Sequence, residues 1–499
     1  MTGFVVFVLY LAALLGIGFA SNRVFRGTGQ DFFVASSTIG PFMLLMSLFG
    51  ATMTSFALVG STAETYTRGV GVYGLMASWA AIVHPLMFVI IGVPVWHLGQ
   101  RYGYVTQVQY LKDRFQSNAL GWIVLPMLVL LVVPYLLIAI QSAGLTVSAV
   151  TKGAFPTVFV DPAGQPSGIP AWITGAVIVA VTLVYINTGG IRAAAWANAL
   201  QTGVFLAVAA VTFVAMSIKL GGPGAAIAKA AAVHPELLVR EGNIGQMELL
   251  SYGLVPLSVG TFPHLFQHWL TARSAESFKL TVVLHPVLVM CVWLPCVFVG
   301  LWAAGEVALP PEKAGAVLGA MVNKLSSPVM GAVLTAGIVA AIMSSLDSQF
   351  LALGTMATED LLLVLHPGAD ERTIVWWARA FTAGIGLLTW ALSFYTTRGI
   401  FEMGVWCFSG FAGLVPVVLA ALYWRRATAA GAIAAAVACA ASWTGLFLSR
   451  TPGEEMMFGV MPVTFIVGAS VAALVGVSLV TSPPPDDVLA RFFPPRRPA

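Results

Sequence analysis

Charge is the scarcest property of this chain. Only 9% of its 499 residues are Asp, Glu, Lys or Arg, whereas a soluble globular domain carries about 25%. A chain so poor in charge cannot present a solvated surface all round, which excludes an ordinary soluble enzyme. Cysteine is scarce too. Cys291, Cys296, Cys407 and Cys439 all fall in apolar runs and none forms a CxxC pair, so they read as buried thiols, neither disulfides nor metal ligands. No polar segment is long enough for a kinase, nucleotide-binding or catalytic soluble domain. The net charge of +4 reads as loop arginines beside lipid head groups, with no nucleic-acid partner implied.

What is abundant is apolar sequence: 59% of residues are hydrophobic and the mean hydropathy is +0.90. This is the composition of an all-α polytopic membrane protein. Thirteen candidate spans are expected at about 3–21, 41–60, 72–96, 119–143, 169–188, 195–218, 246–269, 279–304, 329–353, 375–396, 400–423, 427–449 and 457–481. The first run lacks a basic segment before it and is followed by Arg23 and Arg26, so it reads as a membrane helix and not a cleaved signal. Placing the N-terminus outside puts fifteen of the 24 basic residues in inside segments, and five of the rest in long outside loops. The expected orientation is N-out, C-in, in the plasma (inner) membrane. The stretch after Ser482 is Pro-rich and is expected to be disordered.

Three spans carry polar groups at membrane depth. In the ninth, Ala341, Ser344, Ser345 and Ser348 follow i, i+3, i+4, i+7 spacing and share one helix face, with Asp347 beside it. Such groups must face protein, water or an ion. Two readings fit: oxygen coordination of a small cation, or helix packing through small residues and hydroxyls. The second span is interrupted by Gly50-Ala51-Thr52-Met53-Thr54-Ser55, and the seventh by Gly253, Pro256, Ser258, Gly260, Thr261 and Pro263. The two broken spans lie five helices apart, so five-helix units made of spans 2–6 and 7–11 point in opposite senses. His84-Pro85 and His285-Pro286 fall on the second helix of each unit. Paired broken helices in two inverted halves point to a transporter site at the midplane. A different class, an intramembrane metalloenzyme, is suggested by His264 and His268 together with His84 and His285, although the glutamate of an HExxH motif is missing. A solute sensor that moves nothing is a further rival.

Four motifs, in order, resemble the sodium:solute symporter family. They are Asp31-Phe32-Phe33-Val34-Ala35 with Ile39-Gly40; Gly189-Gly190-Ile191-Arg192-Ala193 with Trp196-Ala197-Asn198-Ala199-Leu200-Gln201; Pro263 to Trp269; and Ala340 to Leu346 with Thr358-Glu359-Asp360-Leu361. The resemblance implies a LeuT-type 5+5 inverted repeat with one extra N-terminal and two extra C-terminal helices. Its divisions are then 1–40 (extra helix and first inside loop), 41–223 (first repeat), 224–245 (outside loop), 246–424 (inverted repeat), 425–481 (C-terminal pair) and 482–499 (cytoplasmic tail). It implies sodium-coupled symport by alternating access, sodium as the coupling ion with no organic cofactor, and a small-molecule solute as partner in the lipid bilayer; the chain is expected to act as a monomer.

The resemblance also implies a sodium site made of the Gly50, Met53 and Ala341 carbonyls and the Ser344 and Ser345 hydroxyls. Asn198 stands where many members have Asp, which puts a second sodium in doubt. Asp347, with Ser348 and Asn198, is a candidate second cation or proton site, and proton coupling through Asp347 is the nearest alternative mechanism. His268 replaces a basic residue and is expected at the inside surface with little part in specificity. Candidate solute contacts are Thr52, Thr54, Ser55, Phe56, Gln141, Phe262, Trp406 and Phe408. No intramembrane Arg or Lys is centrally placed to fix an anion. The N-terminal ends of broken helices attract carboxylates, which leaves small carboxylates, amino acids, a vitamin and neutral sugars open, with the balance toward a small carboxylate-bearing solute.

Overall fold

The computed structural model describes residues 9–10, 12–13, 15–16, 39–161, 164–396, 398–450 and 456–493. The expected first span and the motif Asp31 to Ala35 lie almost wholly outside them. Among the described residues, eight helices are long and apolar enough to cross a bilayer, and two bent pairs bring the total to ten, against the thirteen expected. Ala171–Asn187 falls short on length. Glu371–Leu392 begins with Glu371 and Arg372 and carries Arg379.

Both interrupted spans are bent, each for a local reason. Helix α1 (Pro41–Thr52) stops at Met53, and the chain resumes as a π-helical turn, Phe56–Gly60, leading into α2 (Ser61–Arg68) at 55° to the first half. Thr52 Oγ1 donates back to Leu48 O (3.0 Å) or Phe49 O (2.9 Å), and Thr54 Oγ1 accepts from Phe56 N (3.1 Å). These hydroxyls stand in for ladder bonds that the break removes. In the second case α3 (Gln246–Tyr252) passes through a 3₁₀ turn, Val255–Gly260, to α4 (Pro263–Leu270), and the halves meet at 50°. Pro263 has no N–H and holds Phe262 extended at ψ 122°.

The two broken spans are joined at both ends and run in opposite senses. At one end Ile39 N donates to Thr271 O (3.0 Å) and Arg273 N to Ile39 O (2.9 Å), so the entry to α1 is tied to the exit of α4. At the other, Arg68 Nη2 donates to Glu248 Oε1 at 2.5 Å, joining the exit of α2 to the entry of α3. Around them stand α5 (Asn118–Val150), α6 (Ser277–Ala304), α7 (Pro328–Met356) and α8 (Ile400–Tyr423). Residues 171–219 form one helical run, where the sequence predicts a loop around Gly189-Gly190. Glycine weakens a helix by only about 1 kcal/mol, and no proline stops this one.

The stretch after Ser482 corrects the expectation of disorder: Asp486–Phe492 is a helix. It is held by contacts that its own composition does not reveal. Arg491 forks onto both Asp113 carboxylate oxygens, Tyr102 OH donates to Arg491 O (2.9 Å), and the Arg114 guanidinium lies 5.9 Å from the Phe492 ring centre. Residues 494–499 lie outside the described residues. Asp113→Ala is expected to free this helix: trypsin should cut after Arg491 several-fold faster in the variant. Equal cleavage rates would show that the ion pair does not hold the segment.

Candidate functional site

The site begins where α1 breaks. Ser344 Oγ lies 2.9 Å from Gly50 O and 2.8 Å from Ala341 O, with Ser344 and Ala341 fully buried. One hydroxyl proton cannot serve two carbonyls. Three oxygens therefore converge around a single hydrogen, an arrangement a hard cation satisfies better. The approach depends on Gly50: a Cβ there would lie 2.4 Å from Thr202 Oγ1 and 3.7 Å from Ser344 Cβ. Of the other expected sodium ligands, Met53 caps α1, with its N–H on Phe49 O (2.8 Å), and its sulfur accepts from Trp293 Nε1 (3.3 Å). The Ser345 hydroxyl is turned to its own helix, donating to Ile342 O (3.1 Å). The structure thus brings Gly50, Ala341 and Ser344 into direct contact, and leaves Met53 and Ser345 beside them.

One turn further along α7, Asp347 is the hub of a buried polar network. Tyr185 OH donates to its Oδ2 (2.9 Å) and Ser348 N to its Oδ1 (2.6 Å). With its amide oriented to satisfy both ends, Asn198 Nδ2 lies 3.0 Å from Asp347 Oδ1 and 2.7 Å from Ser344 O, while its Oδ1 accepts from Ser348 Oγ (2.9 Å). Asn198, Asp347 and Ser348 are therefore assembled, as the sequence reading groups them. His268 is not where the sequence places it. It is buried, with Nε2 2.9 Å from Ser348 Oγ and Nδ1 2.9 Å from Ser47 Oγ, so it links α4 to both α7 and α1. The bend in the seventh span turns this residue inward, which its place near a span end conceals.

A small cavity of about 40 Å³ lies beside the break. Thr52, Thr54, Phe56, Phe262 and Phe408 line it, five of the eight expected solute contacts. Phe56 and Phe262 immediately precede or open the second half of each broken span, so the positive ends of both half-helix dipoles face this region. Tyr135, Tyr252, Trp293 and His84 also line it and were not among the expected contacts. Membrane aromatics are so common that type alone does not mark them. Three expected contacts lie elsewhere. Trp406 packs edge-on against Phe447, with its carbonyl accepting from Trp443 Nε1 (2.8 Å). Gln141 is half-buried and outside the lining, and Ser55 is buried behind it. Trp406 sits about 200° around the helix from Phe408 and Gln141 about 240° from Tyr135, so neither shares the face that lines the cavity.

The four intramembrane histidines do not form a metal cluster. His268 is engaged as above. His264 stacks on Phe262 (5.2 Å), with neither ring nitrogen paired among the described residues. His84 and His285 pair with each other. Among the described residues no group of three or more His, Cys, Asp or Glu is placed to hold a metal ion. This removes the support for an intramembrane metalloenzyme.

Two bent spans meeting a serine-bearing helix at mid-bundle are the architecture of secondary active transporters. The chain belongs to the sodium:solute symporter family, whose model matches residues 32–438. It is 25% identical over 475 residues to the sodium/proline symporter of Escherichia coli, covering 89% of each chain. It is 24% identical over 446 residues to that organism's sodium/pantothenate symporter, covering 86% of this chain and 87% of the relative. Its fold matches that of a Na+-coupled sialic acid symporter in a substrate-bound outward-open state, with a TM-score of 0.78, 16% identity and coverage of 97% and 98% of the two chains. That structure shares the LeuT-like fold. The protein is a sodium-coupled symporter of a small solute, a transporter and not an enzyme, set in the plasma membrane by many spans, with sodium as its coupling ion.

Two substitutions test the geometry. Gly50→Ala drives a methyl onto Thr202, and half-saturating sodium for uptake should rise by about tenfold; a wild-type value would sever Gly50 from the cation. Asp347→Asn exchanges one acceptor oxygen for an amide N–H₂, leaving Tyr185 OH or Ser348 N without its acceptor at a cost of about 1–3 kcal/mol, so the purified variant should melt at lower temperature. An unchanged melting temperature would refute the hub role.

Proposed function

We propose that this symporter couples inward sodium flow to uptake of a small carboxylate-bearing solute with a compact apolar body. Sodium is assigned to the carbonyls of Gly50, Met53 and Ala341 and the hydroxyls of Ser344 and Ser345, and the solute to the aromatic cavity beside them. The observation that carries this reading is the convergence of Ser344 Oγ, Gly50 O and Ala341 O directly behind the break whose residues line the cavity. A cation there is held by both the broken span and α7, so its occupancy biases their relative position, which alternating access requires. Neutral ligands release the ion readily. Each sodium entering down 100 mV contributes about 2.3 kcal/mol before its concentration gradient is added.

The solute assignment follows from the lining. Aromatic rings and two threonines suit an apolar body with few polar groups. The half-helix ends at Phe56 and Pro263 favour negative charge over positive. Residues 41–223 and 246–424 serve as the two inverted halves, the N-terminus lies outside, and a single chain does the work. Asp347 supports a second reading of its own. It is a buried carboxylate surrounded by hydroxyl and amide donors, a place for a second cation or a proton travelling with the first sodium.

The test is uptake into proteoliposomes under a sodium gradient. Probes are proline, pantothenate, lactate and a neutral sugar. At least one carboxylate should accumulate in sodium and not in choline; accumulation of the sugar alone overturns the solute assignment. Ser344→Ala with Ser345→Ala should raise half-saturating sodium by at least about tenfold while the protein still inserts. Unchanged sodium dependence in that double variant overturns the sodium assignment.

A further inference from the structure

His84 and His285 occupy matching His-Pro positions in the second helices of the two five-helix units, and the fold brings them together. His84 Nδ1 lies 3.2 Å from His285 Nε2, with ring centres 5.4 Å apart. The pair lies between two environments. His285 is fully buried, with its ring edge-to-face with Phe49 (5.4 Å) and Phe88 (5.1 Å). His84 is 8% exposed and lines the cavity. No Asp, Glu, Lys or Arg is among the described residues that line it, so His84 is its one imidazole and the strongest polar group there.

The tautomers follow from one orphaned atom. His285 Nδ1 is buried and has no hydrogen-bond partner among the described residues. A buried lone pair without a partner is tolerated better than a buried N–H without one. The His285 proton therefore sits on Nε2 and is donated to His84 Nδ1. That in turn leaves the His84 proton on its own Nε2, the nitrogen not used in the pair. The cavity is thus given a donor, not an acceptor, and the choice is made by a residue that never touches the cavity.

We infer that His84 is the residue that binds the solute's carboxylate, through Nε2–H, and that His285 is the positioning residue that fixes its tautomer. The inference rests on the reading of the cavity as the solute site and adds what selects an acid over its uncharged analogue. It supplies the polar partner that the absence of a central arginine or lysine leaves open. A neutral imidazole donor also binds a carboxylate without leaving a buried positive charge when the cavity is empty.

The test compares competition by a carboxylate and by its amide, proline against prolinamide, in sodium-driven uptake of labelled proline (or of labelled pantothenate against pantothenamide, if that is what the wild type accumulates). His84→Leu should reduce the preference for the acid by about tenfold or more, because a site built to hydrogen-bond one group discriminates through it. His285→Leu should lose much of the same preference, and His285→Gln, whose amide can donate to His84 Nδ1, should restore it. A merely structural role for His285 does not predict that rescue. Wild-type preference retained in His84→Leu overturns the inference. A wild-type protein that accumulates no carboxylate overturns both this inference and the reading beneath it, and that result comes before any variant is made. If the leucine variants do not fold, the wild-type chain still decides. In wild-type protein labelled with nitrogen-15 histidine, the His84 Nε2 resonance should be that of a protonated nitrogen and should shift when proline and sodium are added but not with sodium alone. An unprotonated His84 Nε2, or a resonance that the solute leaves unchanged, overturns the assignment.

Discussion

The approach of α1 to α7 at Gly50 and Ser344 sets the geometry on which the site depends. A helix crossing a bilayer must satisfy its own backbone, and α1 stops doing so at Met53. Its last carbonyls then need partners from another helix, and the small side chains of Ala341 and Ser344 let α7 come close enough to provide them. The side chain missing from Gly50 is part of that contact: the space is already filled by the Thr202 hydroxyl, which donates to Met46 O at 3.1 Å. Close packing, an exposed backbone oxygen and a neighbouring hydroxyl thus arise from one constraint. A cation is a natural occupant because it completes what a single serine proton leaves unfinished.

Around this contact the interior is polar to an extent that apolar composition alone does not suggest. Ser47, His268, Ser348, Asp347, Asn198 and Tyr185 form a continuous chain of hydrogen bonds through the middle of the bundle. Intact hydrogen bonds between membrane helices average only about 0.6 kcal/mol each, so the chain specifies register more than it adds stability, while a member left unpaired costs more than its bond supplied. It ties α1, α4 and α7 to one another. Movement of any of the three must break or exchange members of the same set.

Ten of the thirteen expected spans, and both breaks, were legible in the sequence. Long apolar runs announce membrane helices, and the Gly-Thr-Ser and Pro-rich interruptions named the places where helices bend. The polar face of α7 followed from simple periodicity. The serine cluster needed the family resemblance to acquire an ion, and the structure to acquire its Gly50 partner. Other features were hidden because they depend on distance in sequence. His268 meets Ser47 and Ser348, 221 and 80 residues away, and only the bend at Pro263 turns it toward them. The Asp486–Phe492 helix was concealed in a Pro-rich stretch because its partners lie on a different segment. Trp406 and Phe408 show a subtler limit. Two residues apart on one helix, they cannot face the same way, and composition offered no reason to prefer either.

The ties that join the two broken spans are unlike in kind. At one end the link between Ile39 and the Thr271–Arg273 segment is made by main-chain groups alone. At the other it rests mainly on one side chain, Arg68, whose guanidinium pairs with Glu248 and also donates to Asn243 O (3.1 Å). Main-chain hydrogen bonds carry no record of the side chains above them, so sequence drift leaves that end as it is. The ion pair is open to retuning by substitution, by salt and by neighbouring charge. The paired spans are therefore tied at one end by groups that every residue but proline carries and at the other by groups that heredity can adjust.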